Sequence, residues 1–339
     1  MDDGLRLLLD GAIPFALRLN REFRHLDVRE GVVLPGPIGW GEFAPFDDYT
    51  PEQAGRWLAS ALEAAYIGWP APRREAVQVN AIIPARDPRD CAHLVAQAID
   101  VHGCTVVKIP VGSHDLDIDI AMVDAARSAL DSRLGVGVGR IRVDAKGAWS
   151  DIEAATALRE LATFGLEYVE QPCSGEDHLR ALRRMIDVPI AVDESIRVPG
   201  RVDPRRIREC ADIALLKPAP LGGVRATVQL ADALEMTVVV SGSLDSSVGL
   251  GVSLAAAAAL PDVHLACGLG TGVLLVDDLV SHTLLPVSGY LGVDGPEPDG
   301  ARLREAANRL EPARVQWWRT RLAQAWDACD PAIRERVSA

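Results

Sequence analysis

A chain of 339 residues with 48% apolar side chains has enough hydrophobic material for one α/β barrel and a smaller companion. Its formal charge of −13 argues against the basic face that binding to nucleic acid or an anionic membrane needs, and leaves a small molecule as the expected partner. Cys91, Cys104, Cys173, Cys210, Cys267 and Cys329 lack paired metal-ligand spacing, and no stretch approaches the roughly 20 apolar residues that span a bilayer, so a reducing cytoplasmic setting is expected.

Met1-Asp-Asp-Gly precedes only a short leucine run that Asp10 interrupts, which argues against a secretory signal. Residues 12–46 alternate and carry turn signals, with Val28 to Leu34 followed by Pro35-Gly-Pro37 and Gly39-Trp-Gly-Glu-Phe43. This predicts an antiparallel meander. After Thr50-Pro51, the spacing of Ala54, Trp57, Leu58, Leu62 and Ala65 predicts a helix over 51–66. Pro70-Ala-Pro72 and Arg73-Arg-Glu75 mark a boundary, so residues 1–75 form an α+β piece.

From Val77 short apolar strands alternate with helical segments. Strands are expected at about 77–83, 105–111, 141–146, 167–171, 189–194, 213–218, 237–242 and 264–269. Eight such strands specify a parallel barrel, and runs such as Val238-Val-Val240 and Ile213-Ala-Leu-Leu216 fit strands buried on both faces. Ala255 to Ala259 reads as a helix interior. After Asp277 the chain returns toward its first piece, and a terminal helix over 312–327 packs outside, with Trp317 and Trp318 as apolar anchors. The expected division is a barrel over 76–279 and a capping domain over 1–75, completed by about 280–339.

Three acids carry the chemistry. Asp144 in Arg142-Val-Asp-Ala-Lys146, Glu170 in Tyr168-Val-Glu-Gln-Pro172 and Asp193 in Ala191-Val-Asp-Glu-Ser195 each end an apolar strand run, at intervals of 26 and 23 residues. One strand-helix-strand unit is about that long, so the three converge on the rim at the C-terminal strand ends. Like charges held that close point to a hard divalent cation, Mg2+ being the usual one. Lys108, in Val106-Val-Lys-Ile-Pro-Val-Gly112, and Lys217, in Leu215-Leu-Lys-Pro218, end the second and sixth strands. A lysine there needs a charge partner. Either the two neutralise the acids, or they serve as base and acid on opposite sides of a metal-bound carboxylate substrate whose enediolate the metal stabilises.

These lysines and carboxylates resemble the enolase superfamily, muconate-lactonising branch. More narrowly, Gly39-Trp-Gly-Glu-Phe-Ala-Pro-Phe46, Val169-Glu-Gln-Pro172, Val192-Asp-Glu-Ser-Ile-Arg197, Leu216-Lys-Pro-Ala-Pro-Leu-Gly-Gly223 and Ala266-Cys-Gly-Leu-Gly-Thr271 are similar to the actinobacterial o-succinylbenzoate synthase family, from about Ala12 to Leu279. The resemblance implies an α/β fold, a (β/α)7β modified TIM barrel with an α+β capping domain. It implies magnesium-dependent syn dehydration of 2-succinyl-6-hydroxy-2,4-cyclohexadiene-1-carboxylate to o-succinylbenzoate in menaquinone synthesis. By motif, Asp144, Glu170 and Asp193 match the metal ligands, and Lys217 the strand-six lysine that faces the substrate ring.

The second strand departs from the pattern. The family usually carries Lys-x-Lys there, its second lysine the proton-abstracting base; without gaps Lys108 takes the first place and Pro110 the second. A shift by two residues would make Lys108 the base and keep its face. The family's Asp-x-Asn at strand three is also replaced, by Asp144-Ala-Lys146, and Lys146 either takes over part of the lost lysine's role as base, or offsets the acids or points into solvent at the loop. Arg142, deeper on the same face, contacts a substrate carboxylate or forms a structural ion pair. Ser241, Gly242, Ser243 and Asp245 after strand seven, and Gly268 to Thr271 with Gly270 at strand eight, either let backbone amides approach a succinyl carboxylate or make tight turns. Arg21, Arg24 and the Glu42 to Phe46 loop belong to the lid. His25, His102, His114, His178, His264 and His282 show no triad logic. Two other readings stand beside dehydration: N-acylamino acid racemisation, and a non-catalytic homologue marked by Pro110.

Overall fold

The structure, a computed structural model, describes residues 2–23, 25–113, 115–197 and 202–338, the last by its backbone alone. Arg24 and His114, singled out above, lie outside the described residues.

The meander is present as β1 (Ile13–Phe23), β2 (Leu26–Pro35) and β3 (Trp40–Phe43), antiparallel throughout, with Ile13 opposite Val33 and Val33 opposite Glu42. Helix Pro51–Leu62 opens on a capping box in which Thr50 and Gln53 satisfy each other's amides, with Pro51 where no amide partner is needed. It buries Ala54, Trp57, Leu58, Ala61 and Leu62 against the sheet. The approach is close: a Cβ on Gly41 would lie 2.0 Å from the Ala61 carbonyl oxygen. Gly41→Ala is therefore expected to destabilise the protein by about 1–3 kcal/mol or more through overpacking, read as a fall in the thermal midpoint. An unchanged midpoint would show that the cap is not packed this tightly.

The barrel strands are β4 (Ala76–Ile82), β5 (Val106–Pro110), β6 (Arg140–Asp144), β7 (Leu166–Glu170), β8 (Ile190–Val192), β9 (Ile213–Leu216), β10 (Thr237–Val240) and β11 (Cys267–Gly270). They pair in parallel in the order β10-β9-β8-β7-β6-β5-β4-β11. The two ends of that order meet at a bridge between Ser241 and Gly268, where the Gly242 amide donates to the Gly268 carbonyl at 3.0 Å. Helices of seven or more residues separate successive strands, but β11 is followed by only the short turn Thr271–Leu274, which gives the expected (β/α)7β order. Side-chain alternation turns Val107, Ile109, Val143 and Val169 toward the helices. Tyr168, Ala191, Ile213, Leu215 and Val239 form a separate cluster among themselves.

Helix Pro312–Ala328 packs along helix Pro51–Leu62 and buries Trp318 and Trp326. The short strand β12 (Tyr290–Gly292), antiparallel to β4, and the opening helix Asp3–Gly11 are additions to the expected elements. Three residues are too few to show a period, and the leucine run alone gives no helix end. Among the described residues no helix is long and apolar enough to cross a membrane.

Candidate active site

The barrel pairing sets Asp144 beside Glu170, each the last residue of its strand, and Asp193 directly follows β8. All three are buried, Glu170 and Asp193 almost completely. Lys108, on β5, places its Nζ 2.8 Å from Glu170 Oε2 and 3.4 Å from Asp144 Oδ2. Lys217 Nζ donates to Asp193 Oδ2 at 2.6 Å. Arg197 grips the same carboxylate with Nε, 2.7 Å from Oδ1, and with Nη2, and reaches Glu194 Oε1 at 3.0 Å. Arg197 and Glu194 had drawn no separate notice in the sequence; the available signal was the four-residue spacing of Asp193 and Arg197.

Electrostatics follow from these distances. Burial, and then the neighbouring Asp144, push the Glu170 carboxyl up to about 7 against the pull of Lys108. Burial would lower the Lys108 ammonium, but Glu170 and Asp144 outweigh it and hold the group charged. Burial would likewise raise Asp193, yet Lys217 and Arg197 keep it ionised, well below the carboxylate range.

Among the described residues no three His, Cys, Asp or Glu side chains already form a metal cage, because lysine ammonium groups sit among the acids. The donor chemistry nevertheless fits a hard divalent cation: the carboxylates end adjoining strands, Asp144 and Glu170 repel each other, and Glu194 beside them has a buried Oε2 without a hydrogen-bond partner.

Beside Asp144 opens a cleft at the barrel mouth. It brings together Lys108, Asp144, Lys146, Lys217, Ser241, Gly242, Ser243, Gly270 and Thr271 from the expected set, with Phe23 of the cap and Asn80, Ile82, Leu244 and Gly268 of the barrel. The strand does not persist to Lys146 as expected. This residue takes a left-handed turn, φ +51°, in which its amide donates to Asp144 Oδ1 at 3.2 Å. Its side chain still borders the cleft, with Nζ 5.8 Å from the centre of the Phe23 ring. Among the described residues the buried Thr271 Oγ1 has no hydrogen-bond partner, and Ser241 Oγ has long contacts of 3.4 and 3.5 Å. The amides of Gly242 and Ser243 already serve the Gly268 carbonyl and Asp245 Oδ2, so hydroxyls rather than those amides face an incoming carboxylate.

Arg142 does not border the cleft. It is fully buried deeper in the barrel, where Nε meets Glu167 Oε2 at 2.6 Å and Nη1 donates to Asn80 Oδ1 and the Ala266 carbonyl at 2.9 and 2.7 Å. Its guanidinium stacks 4.7 Å from the Tyr168 ring centre. Of its two readings, the ion pair is the one formed. Asn80 was legible as a polar residue inside the apolar run Val77-Gln-Val-Asn80; Phe23 gave no signal. Pro110 pairs with Asp144 in register, so the strand position level with the first acid has no titratable side chain. Arg21 is spent on Asp90 at 2.8 Å and on the Pro84 carbonyl at 3.0 Å, tying the cap to the barrel.

A capped parallel barrel with three carboxylates on its third to fifth strand ends, and lysines on its second and sixth, defines a protein of the enolase type. Residues 90–301 match the family described as enolase C-terminal domain-like, and residues 14–65 the enolase N-terminal domain-like family. The fold is shared with muconate lactonizing enzyme from Pseudomonas fluorescens, at TM-score 0.74 and 21% identity over 87% of this chain and 97% of that one. L-Ala-D/L-Glu epimerase from Bacillus subtilis gives 0.71 and 20% over 85% and 96%. Sequence similarity is closer to proteins named o-succinylbenzoate synthase: 45% identity with that of Thermobifida fusca over 95% of this chain and 98% of the relative, and 45% with that of Mycolicibacterium smegmatis over 94% of each. The chain belongs to the enolase superfamily and, within it, to the o-succinylbenzoate synthase family.

Proposed function

We propose that the protein is a cytoplasmic, magnesium-dependent lyase that dehydrates 2-succinyl-6-hydroxy-2,4-cyclohexadiene-1-carboxylate to o-succinylbenzoate. The observation that carries this reading is the cleft itself: on a chain of net charge −13, three lysine side chains, Lys108, Lys146 and Lys217, border one cleft. Such a site suits a small carboxylate. Asp144, Glu170 and Asp193 would hold the divalent cation, which supplies positive charge as the substrate carboxylate takes up negative charge.

The chain's own groups account for the rest. In a syn elimination the proton and the hydroxyl leave from one face, so one amine can accept the proton as the C–H bond breaks and return it to the departing hydroxyl as water. Lys108 is held as an ammonium by Glu170 and Asp144 and serves as their charge partner. Lys146, on the cleft's lip one strand from Pro110, is the amine assigned to the proton. Lys217, on the wall opposite β5, steadies the developing charge from the other side. Thr271 and Ser241 offer hydroxyls to the succinyl arm.

Purified protein is expected to aromatise this substrate, followed by absorbance, only with magnesium present. Magnesium at a hundredfold excess over its Kd should also stabilise the fold by about 2.7 kcal/mol. Substrate binding without turnover would instead mean that Pro110 marks a protein that has given up the chemistry.

A further inference from the structure

Glu42, on β3 of the cap, grips a barrel loop 204 residues away. Its carboxylate accepts from the Ser246 amide at 3.3 Å and pairs with the Ser246 hydroxyl. Ser246 in turn caps helix Ser247–Ala259, its hydroxyl accepting from the Val248 and Gly249 amides at 3.1 and 3.3 Å. The fit leaves no slack, since a Cβ on Gly249 would fall 2.4 Å from Glu42 Oε1. The next carboxylate, Asp245, accepts the Ser243 amide at 2.8 Å and so braces the Ser241–Ser243 turn that walls the cleft. Glu42 and Asp245 are 8% and 4% exposed. Arg29 of β2 faces both, and Lys217, directly after β9, faces Asp245.

We propose that Glu42 is a positioning residue: through Ser246 and beside Asp245, it seats the cap on the loop carrying Ser241, Gly242 and Ser243, and thereby sets affinity for the carboxylate in the cleft. This rests on the cleft being the site of the dehydration proposed above. Burial, with Asp245 adding to it, pushes the Glu42 carboxyl up to about 7. Below that pH Glu42 is protonated. Above it, two buried carboxylates repel and the seat loosens.

The test compares the parent with Glu42→Gln and Glu42→Ala between about pH 6 and 8.5, reading kcat and KM separately and, by calorimetry with magnesium, the Kd of o-succinylbenzoate. Circular dichroism and thermal melting establish the folded state. In the parent KM and Kd are expected to rise about tenfold across this range while kcat changes less, and Glu42→Gln should flatten the rise. Glu42→Ala, if folded, should bind about tenfold more weakly already at low pH. A Gln variant that keeps the parent's pH-dependent rise overturns the inference, whether or not the Ala variant folds. Absent turnover with a pH-dependent Kd that Gln flattens would sink the dehydratase reading and leave the seat standing; turnover with Kd and KM unmoved by Gln would do the reverse.

Discussion

Lys217→Ala is expected to lower kcat/KM by about 10³–10⁴-fold while leaving a folded protein. The amine sits at the end of the sixth barrel strand, across from β5, and borders the cleft where the proposed reaction would develop negative charge. Its loss removes that charge and also one of the two cations on Asp193. Arg197 remains on the same carboxylate through both Nε and Nη2, so the buried acid keeps a partner and the stability loss should stay below the roughly 3–5 kcal/mol of a fully broken buried pair. Kinetics and a melting curve on one preparation separate the two effects. A variant within tenfold of the parent would show that Lys217 only neutralises Asp193.

The second large effect divides the other lysines. Lys146→Ala is expected to cost about 10²–10⁴-fold in kcat with little change in melting, because the side chain is exposed at the cleft lip. Lys108→Ala should show the opposite balance. It removes the ammonium 2.8 Å from Glu170 and 3.4 Å from Asp144, leaves two buried carboxylates facing each other, and should destabilise the protein by about 3–5 kcal/mol. Divalent metal should restore part of that stability by supplying the missing charge. If Lys146→Ala turns over normally and Lys108→Ala is dead even when magnesium has restored its melting point, the base is Lys108 and Lys146 is charge compensation.

The difference between these lysines was partly legible beforehand. Pro110 and Lys146 stood out because each breaks a motif, and a broken motif is a local signal. Which acid would clasp Lys108, Glu170 62 residues on, was not. Arg142 shows the same limit: strand alternation turned it inward, but only the positions of Glu167, Asn80 and Tyr168 made it a buried structural cation.

The sequence by itself determined the eight strands, the helices between them, and the three acids at strand ends. Each depends on a local period, an apolar run or a cap within a few residues, and parallel strands joined by helices have few ways to arrange themselves. Only the tertiary structure decided which cation meets which acid, and that Glu42 reaches across to Ser246. Those outcomes depend on side chains brought within 3–4 Å across tens to hundreds of residues, and no periodicity encodes a distance between strands that the chain visits far apart.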